Sequence, residues 1–347
     1  MRTLALGLAS VAVAALLSPQ ANAAGELFVY NWTNYIPPAL FEKFEKETGI
    51  KVTLDTYDSN ETLLAKLQAG GGGYDVIVPS DYMVATMIRD DLLEKVEPKT
   101  MANFSNVAAP FNEQWFDPAR DYTVPYMWGT TGFSYDTARV PGGKLDESWK
   151  SFFEPPQELT GQVAALNDEV ELWGAAAHYL GIDTCTESTE DAQKILAVLE
   201  AQKPFLAMYQ SDGTIERMSA GEVIMHQQWN GAAHRTKLNK PTVVYVYPKE
   251  GIGFWQDNLA IPKGAPHLDN AKVFLDWMMK PENIALVSNF TGYMNALKGT
   301  EPFLDQALRD DPAVLMPAEY QSRLIPNKDC SAKSRELRNK VYTRLKK

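Results

Sequence analysis

The patterned part of the chain begins with Glu26-Leu-Phe-Val-Tyr-Asn31, a short apolar run rich in β-formers that predicts a buried strand. Trp32-Thr-Asn-Tyr-Ile-Pro-Pro38 breaks the run, and Pro38 suits the first turn of a helix reaching about Lys46 and stopped by Gly49. Residues 51–55 predict a second strand. Asp58-Ser-Asn-Glu61 has the spacing of a capping box, opening a helix with Leu63, Leu64 and Leu67 on one face. The glycines at 70–73 end that helix, and residues 74–78 form a third apolar strand stopped by Pro79. Three strands separated by two helices predict a parallel sheet with right-handed crossovers.

Further along, residues 124–134 are apolar but interrupted by turn residues, and from about 133 to 250 strands and helices alternate again. The clearest helices lie at 173–180, 189–202 and 268–279, 243–247 reads as a strand, and the tail from Pro302 ends in a helix over 332–345. No repeat or low-complexity linker separates the two α/β units, so they are expected to touch. Ligands of open α/β sheets bind beyond the carboxyl ends of the strands. Two such ends carry Trp32-Thr33-Asn34-Tyr35 and Ser80-Asp81-Tyr82. Their rings serve either a binding surface or the cover of a sheet edge, and the pattern alone leaves both open.

Composition narrows the function. Of 347 residues, 33 are Lys or Arg and 44 Asp or Glu, giving a net charge of −11. A field of that sign repels phosphate backbones and anionic lipid, so nucleic acid is not expected as a partner and a cationic ligand is. Residues 1–23 read as a secretion signal: Arg2, an apolar stretch from Leu4 to Leu17, then Ala21-Asn22-Ala23 as a cleavage site. No cysteine adjoins that site to carry a lipid. The product is expected in the periplasm, soluble and unanchored. The two cysteines, Cys185 and Cys330, could form a disulfide there or remain apart.

Catalytic and metal readings find little support. The glycine run at 70–73 follows a helix and precedes a strand, the reverse of a phosphate loop. The four histidines (178, 226, 234, 267) lack metal-ligand spacing, and no cofactor is expected. Asp168 and Glu171 lie three apart at a helix mouth. They fit acids favoured by the helix dipole, a hydrolytic carboxylate pair, or a receptor for cationic groups. Asp257, two residues after Trp255 and just before an apolar run, is costly to bury without a partner; a ligand ammonium against an aromatic wall would supply one. Trp229-Asn-Gly231 and Gly292-Tyr293 add aromatics beside glycines.

Together these segments resemble the periplasmic polyamine-binding proteins of bacterial ABC importers. The resemblance is carried by Tyr30-Asn-Trp-Thr-Asn-Tyr-Ile-Pro37, Glu45-Lys-Glu-Thr-Gly-Ile-Lys-Val52, Ser59-Asn-Glu-Thr62, Tyr74-Asp-Val-Ile-Val-Pro-Ser80, Pro125-Tyr-Met-Trp-Gly129, Trp229-Asn-Gly231, Pro248-Lys-Glu-Gly251 and Phe254-Trp-Gln-Asp257. It implies an α/β, two-lobed, type II binding-protein fold, each lobe a mostly parallel sheet flanked by helices. Lobe one would span 24–131 and 255–301, and lobe two 132–254 and 302–347. The lobes would close over putrescine or spermidine.

By the same resemblance the ligand would meet Trp32, Thr33, Tyr35, Ser80 and Tyr82 from the first lobe. Asp168, Glu171 and Trp229 would come from the second, and Trp255, Asp257 and Tyr293 from beyond the crossover. A monomer serving an inner-membrane permease is implied, not an enzyme. One departure stands out. Where the family's spermidine binders place an amide, Lys328 falls nearby, and Arg217 is a second cation of unplaced role. Either could take the carboxylate of an ω-amino acid such as γ-aminobutyrate, the alternative to a polyamine. A secreted hydrolase using Asp168 and Glu171 is the third reading.

Overall fold

The computed structural model describes residues 25–70 and 72–347, so the leader read at 1–23 lies outside the described residues. Eleven strands are described: β1 Gly25–Trp32, β2 Ile50–Tyr57, β3 Val76–Ile77, β4 Thr123–Asp136, β5 Val163–Ala165, β6 Leu206–Tyr209, β7 Met225–Trp229, β8 Val243–Val246, β9 Ile252–Ala260, β10 Met294–Asn295 and β11 Leu324–Pro326. They join in the order β2-β1-β3-β9-β4-β7-β5-β6, with β8 and β10 also on β4 and β11 on β9. β1 pairs in parallel with β2 and β3, and β5 in parallel with β6 and β7. Between these trios run β4 and β9, antiparallel from Thr123↔Ala260 to Thr131↔Gly253.

Apolar packing follows this division. One set of clusters gathers Leu27, Phe44, Tyr126, Leu259 and Phe274, with Leu63 and Met83 beside them. Another gathers Phe133, Trp149, Phe152, Leu172 and Met225. β4 contributes to both, since its length carries it from one core into the other. Glycines permit the close contact of β4 with its neighbours: a Cβ at Gly129 would lie 2.5 Å from both the Trp255 ring and Asn230 Oδ1. These glycines are what made residues 124–134 look like an interrupted run rather than one strand of fourteen residues.

Local expectations hold at several ends. Gly49 adopts the left-handed conformation and stops the helix Pro38–Thr48. The helix Asn60–Gln68 is capped by Ser59, which accepts from the Thr62 amide, while Asp58 accepts from the Thr62 hydroxyl. The cap is thus one residue later than the Asp58…Glu61 box. Glu61 accepts instead from the Tyr82 hydroxyl.

The tail, residues 302–347, touches segments expected in both lobes. Leu304, Leu308 and Val314 pack with Ala285 of the helix Pro281–Thr291. Asp311 pairs with His234 at 2.8 Å and Lys237 at 3.2 Å on the helix Asn230–Asn239. Only the last helix, Ala332–Leu345, joins the second core, through Val341 and Leu345.

Cys185 and Cys330 are bonded across 145 residues of sequence, tying the loop after the helix Glu169–Leu180 to the start of that last helix. Closing so long a loop restricts the unfolded chain, and losing such a bond costs about 2–5 kcal/mol. The double variant Cys185→Ala/Cys330→Ala should therefore show a lower denaturant midpoint than the oxidised protein. Equal midpoints in guanidinium titrations would contradict a stabilising role.

Candidate functional site

A cleft of about 960 Å³, open to solvent, is lined by the strand-end loops and by the starts of helices. All eleven residues expected to meet a ligand line it: Trp32, Thr33, Tyr35, Ser80, Tyr82, Asp168, Glu171, Trp229, Trp255, Asp257 and Tyr293. They come together because β1, β3, β7 and β9 all end or pass there.

Asp257 lies on β9, with only 5% of its surface exposed. Its two oxygens accept from the Tyr35 hydroxyl at 2.7 Å and the Ser80 hydroxyl at 2.6 Å. Ser80 is held in turn by Asn60, whose side-chain amide donates to Ser80 Oγ and to Tyr82 Oη. Burial pushes the Asp257 carboxyl up to about 6, although both hydroxyls favour its ionised form.

Opposite stands the start of the helix Glu169–Leu180. Asp168 is its N-cap, accepting from the amides of Val170 and Glu171 at 2.9 and 3.0 Å. Glu171 Oε1 accepts from Thr131 Oγ1 at 2.9 Å and from the Trp229 indole at 3.1 Å. Burial raises both acids, and the charge of Asp168 adds to the rise of Glu171, to about 8. The helix-dipole reading fits Asp168, which caps the helix, and both acids line the cleft.

Aromatic walls join these acids. The Trp32 indole donates to the Val78 carbonyl, as does the Tyr57 hydroxyl, and the two rings lie 4.8 Å apart. Tyr293 sits edge-on to Trp255 at 5.1 Å and to Tyr35 at 5.6 Å. Gly231 admits the Tyr293 ring, because a Cβ there would approach it to 2.4 Å. So the two aromatic–glycine pairs noted in the sequence meet each other.

Two expectations are corrected. Lys328 is exposed and outside the cleft, whereas Asn327, one residue earlier, lines it. The Asn327 amide donates to the Phe254 carbonyl, extending the β11–β9 pairing, and in extended chain a one-residue offset reverses the side chain. Arg217 also lies off the cleft. It is buried, donating to His226 Nε2 and to the Asp212 carbonyl, each at 2.9 Å. Burial holds His226 down near 3, so it stays neutral and can accept. Sequence reading missed the acids Asp58, Asp212 and Glu216, and Arg235. Arg235 follows Trp229 by six residues on a helix without a clear apolar stripe, so no pattern marked it.

The lining therefore holds six carboxylates, and none of the six forms a salt bridge among the described residues. An acid whose proton is held more tightly in the folded than in the unfolded state weakens folding as pH rises between the two pKa values. Without ligand, stability should thus carry a falling contribution from Asp257 between about pH 4 and 6 and from Glu171 between about pH 4 and 8. Glu171→Gln should remove the second part, so that its melting temperature gains on wild type as pH rises from 6 to 8. Parallel melting curves across that range would show that burial does not raise Glu171.

The family of bacterial extracellular solute-binding proteins matches the chain over residues 39–317. A putrescine-binding periplasmic protein of Pseudomonas aeruginosa is 33% identical over 335 residues, covering 92% of this chain and 91% of that one. A spermidine/putrescine-binding periplasmic protein of Escherichia coli is 33% identical over 294 residues, 84% of each chain. The solved structure of the spermidine/putrescine ABC transporter substrate-binding protein PotD from Streptococcus pneumoniae superposes with a TM-score of 0.77 at 27% identity, over 93% of this chain and 98% of that one.

Proposed function

The chain belongs to the family of bacterial extracellular solute-binding proteins, and we propose that it captures a small polyamine in its cleft and delivers it to an ABC permease. The observation that carries this reading is the cleft's charge. Asp257 and Asp168 are buried and Glu171 half-buried, and all three receive hydroxyl, indole or amide hydrogens but no protein cation within 4 Å among the described residues. A ligand ammonium would supply the missing charge to each. Methylenes between two ammoniums suit the space between Trp32, Trp229, Trp255 and Tyr293, whose faces also attract cations. Relatives whose names specify putrescine or spermidine support the same class.

Delivery requires an exported protein. The leader at 1–23 fits export to the periplasm, and no helix among the described residues is long and apolar enough to cross a membrane. We read the long antiparallel pair β4–β9 as the connection about which the two lobes move, and the protein as a monomer that binds without turnover. Asp168 is engaged by two backbone amides in capping its helix, which favours a receptor over a hydrolytic pair.

Titration of the refolded, ligand-stripped protein with putrescine, cadaverine, spermidine and γ-aminobutyrate tests the reading by calorimetry. Binding of at least one polyamine, with the compound recovered unchanged, is expected. Asp257→Asn should weaken it by at least about 1.5 kcal/mol, the scale of a lost hydrogen bond to a charged group. Undiminished affinity in that variant would remove Asp257 from the site, and silence toward all three polyamines would end the polyamine reading.

A further inference from the structure

Arg235 is the only cationic side chain among the described residues lining the cleft. It lies three residues after Ala232, on the same cleft-facing side of the helix Asn230–Asn239. Its helix neighbours His234 and Lys237 are both paired with Asp311, but Arg235 enters no salt bridge among the described residues. Its guanidinium rests over the Phe290 ring at 5.1 Å, which orients the group without using its N–H donors. An arginine serving to neutralise the cleft would pair with one of the six acids. This one is kept beyond 4 Å from all of them.

Its position relative to Asp257 is informative. Tyr293, itself a cleft residue, links their surroundings: its ring packs against Gly231 on the Arg235 helix and stands edge-on at 5.6 Å to Tyr35, which donates to Asp257. A guanidinium and a carboxylate therefore line one cleft, connected through Tyr293 and Tyr35, without pairing with each other among the described residues. A matching ligand carries an ammonium for Asp257 and a carboxylate for Arg235, with a second ammonium for Asp168 and Glu171 across the cleft. A guanidinium receives a carboxylate through two parallel hydrogen bonds, giving orientation as well as affinity.

We propose that Arg235 is a specificity determinant that lets the cleft accept diamino acids, the α-carboxylated counterparts of plain diamines. The proposal rests on the reading that the cleft takes an amine, and goes beyond it by naming the group beside that amine. Ornithine and putrescine make a matched pair that differs only by the carboxylate. A plain diamine leaves the donors of Arg235 unused and sets an ammonium near its charge.

Calorimetry of wild type and Arg235→Gln with ornithine, putrescine and ornithinamide tests this. Wild type should bind ornithine at least as tightly as putrescine. Arg235→Gln should weaken ornithine by about tenfold or more, the scale of a lost charge-assisted contact, and leave putrescine unchanged or tighter. Ornithinamide keeps both amines and loses the carboxylate charge. Its binding to unmodified protein should fall by a similar factor relative to ornithine, a comparison that needs no variant to fold. Putrescine bound with ornithine refused overturns the proposal and leaves the polyamine reading standing. Ornithine bound with all polyamines refused does the reverse. Equal losses for ornithine and putrescine in Arg235→Gln also overturn it, and refusal of both by wild type removes both readings.

Discussion

Tyr35 and Ser80 each donate a hydroxyl to Asp257, and among the described residues the carboxylate they hold meets no ammonium or guanidinium. Such an arrangement is expensive: a buried acid without a countercharge raises its pKa rather than remain ionised. The same cost recurs across the cleft at Asp168 and Glu171, where burial and proximity make two acids share one poorly solvated space. Hydroxyl, indole and amide donors fix these carboxylates in place without cancelling their charge. On the proposed reading, the cleft is thereby organised for a cation supplied by the ligand.

The fold supports that arrangement from both sides. Asp257 belongs to β9 and Glu171 to a helix that follows β5, and the two are linked through β4, which pairs with β9 along one edge and with β7 along another. Thr131 on β4 donates to Glu171, so the strand that joins the lobes also holds one of the acids. The bond between Cys185 and Cys330 and the packing of Leu304, Leu308 and Val314 fasten the tail to both halves.

Much of this was legible because strand ends are local. Trp32 to Tyr35 and Ser80 to Tyr82 follow apolar runs that stop abruptly, and Asp257 is an acid where the pattern calls for an apolar residue. The helix at 332–345 was likewise set by its own residues. β4 was not, because Gly129 reads as a turn until Trp255 and Asn230 are seen against it. Asn327 and Lys328 are told apart only by which face of an extended segment meets β9, a tertiary fact. Arg235 sits on a polar helix turn and gains meaning only from what it does not pair with.

Proton exchange on binding reports on the buried acids most directly. Calorimetric titration of putrescine near pH 7, repeated in buffers of different ionisation enthalpy, counts the protons exchanged. Amines arrive already charged, and acids with raised pKa values must ionise to receive them. Net proton release, growing as the pH is lowered from 8 to 6 and reduced in Glu171→Gln, is the expected result. Tight binding with no proton released would mean that the carboxylates are ionised beforehand, contradicting a cleft that withholds their countercharge.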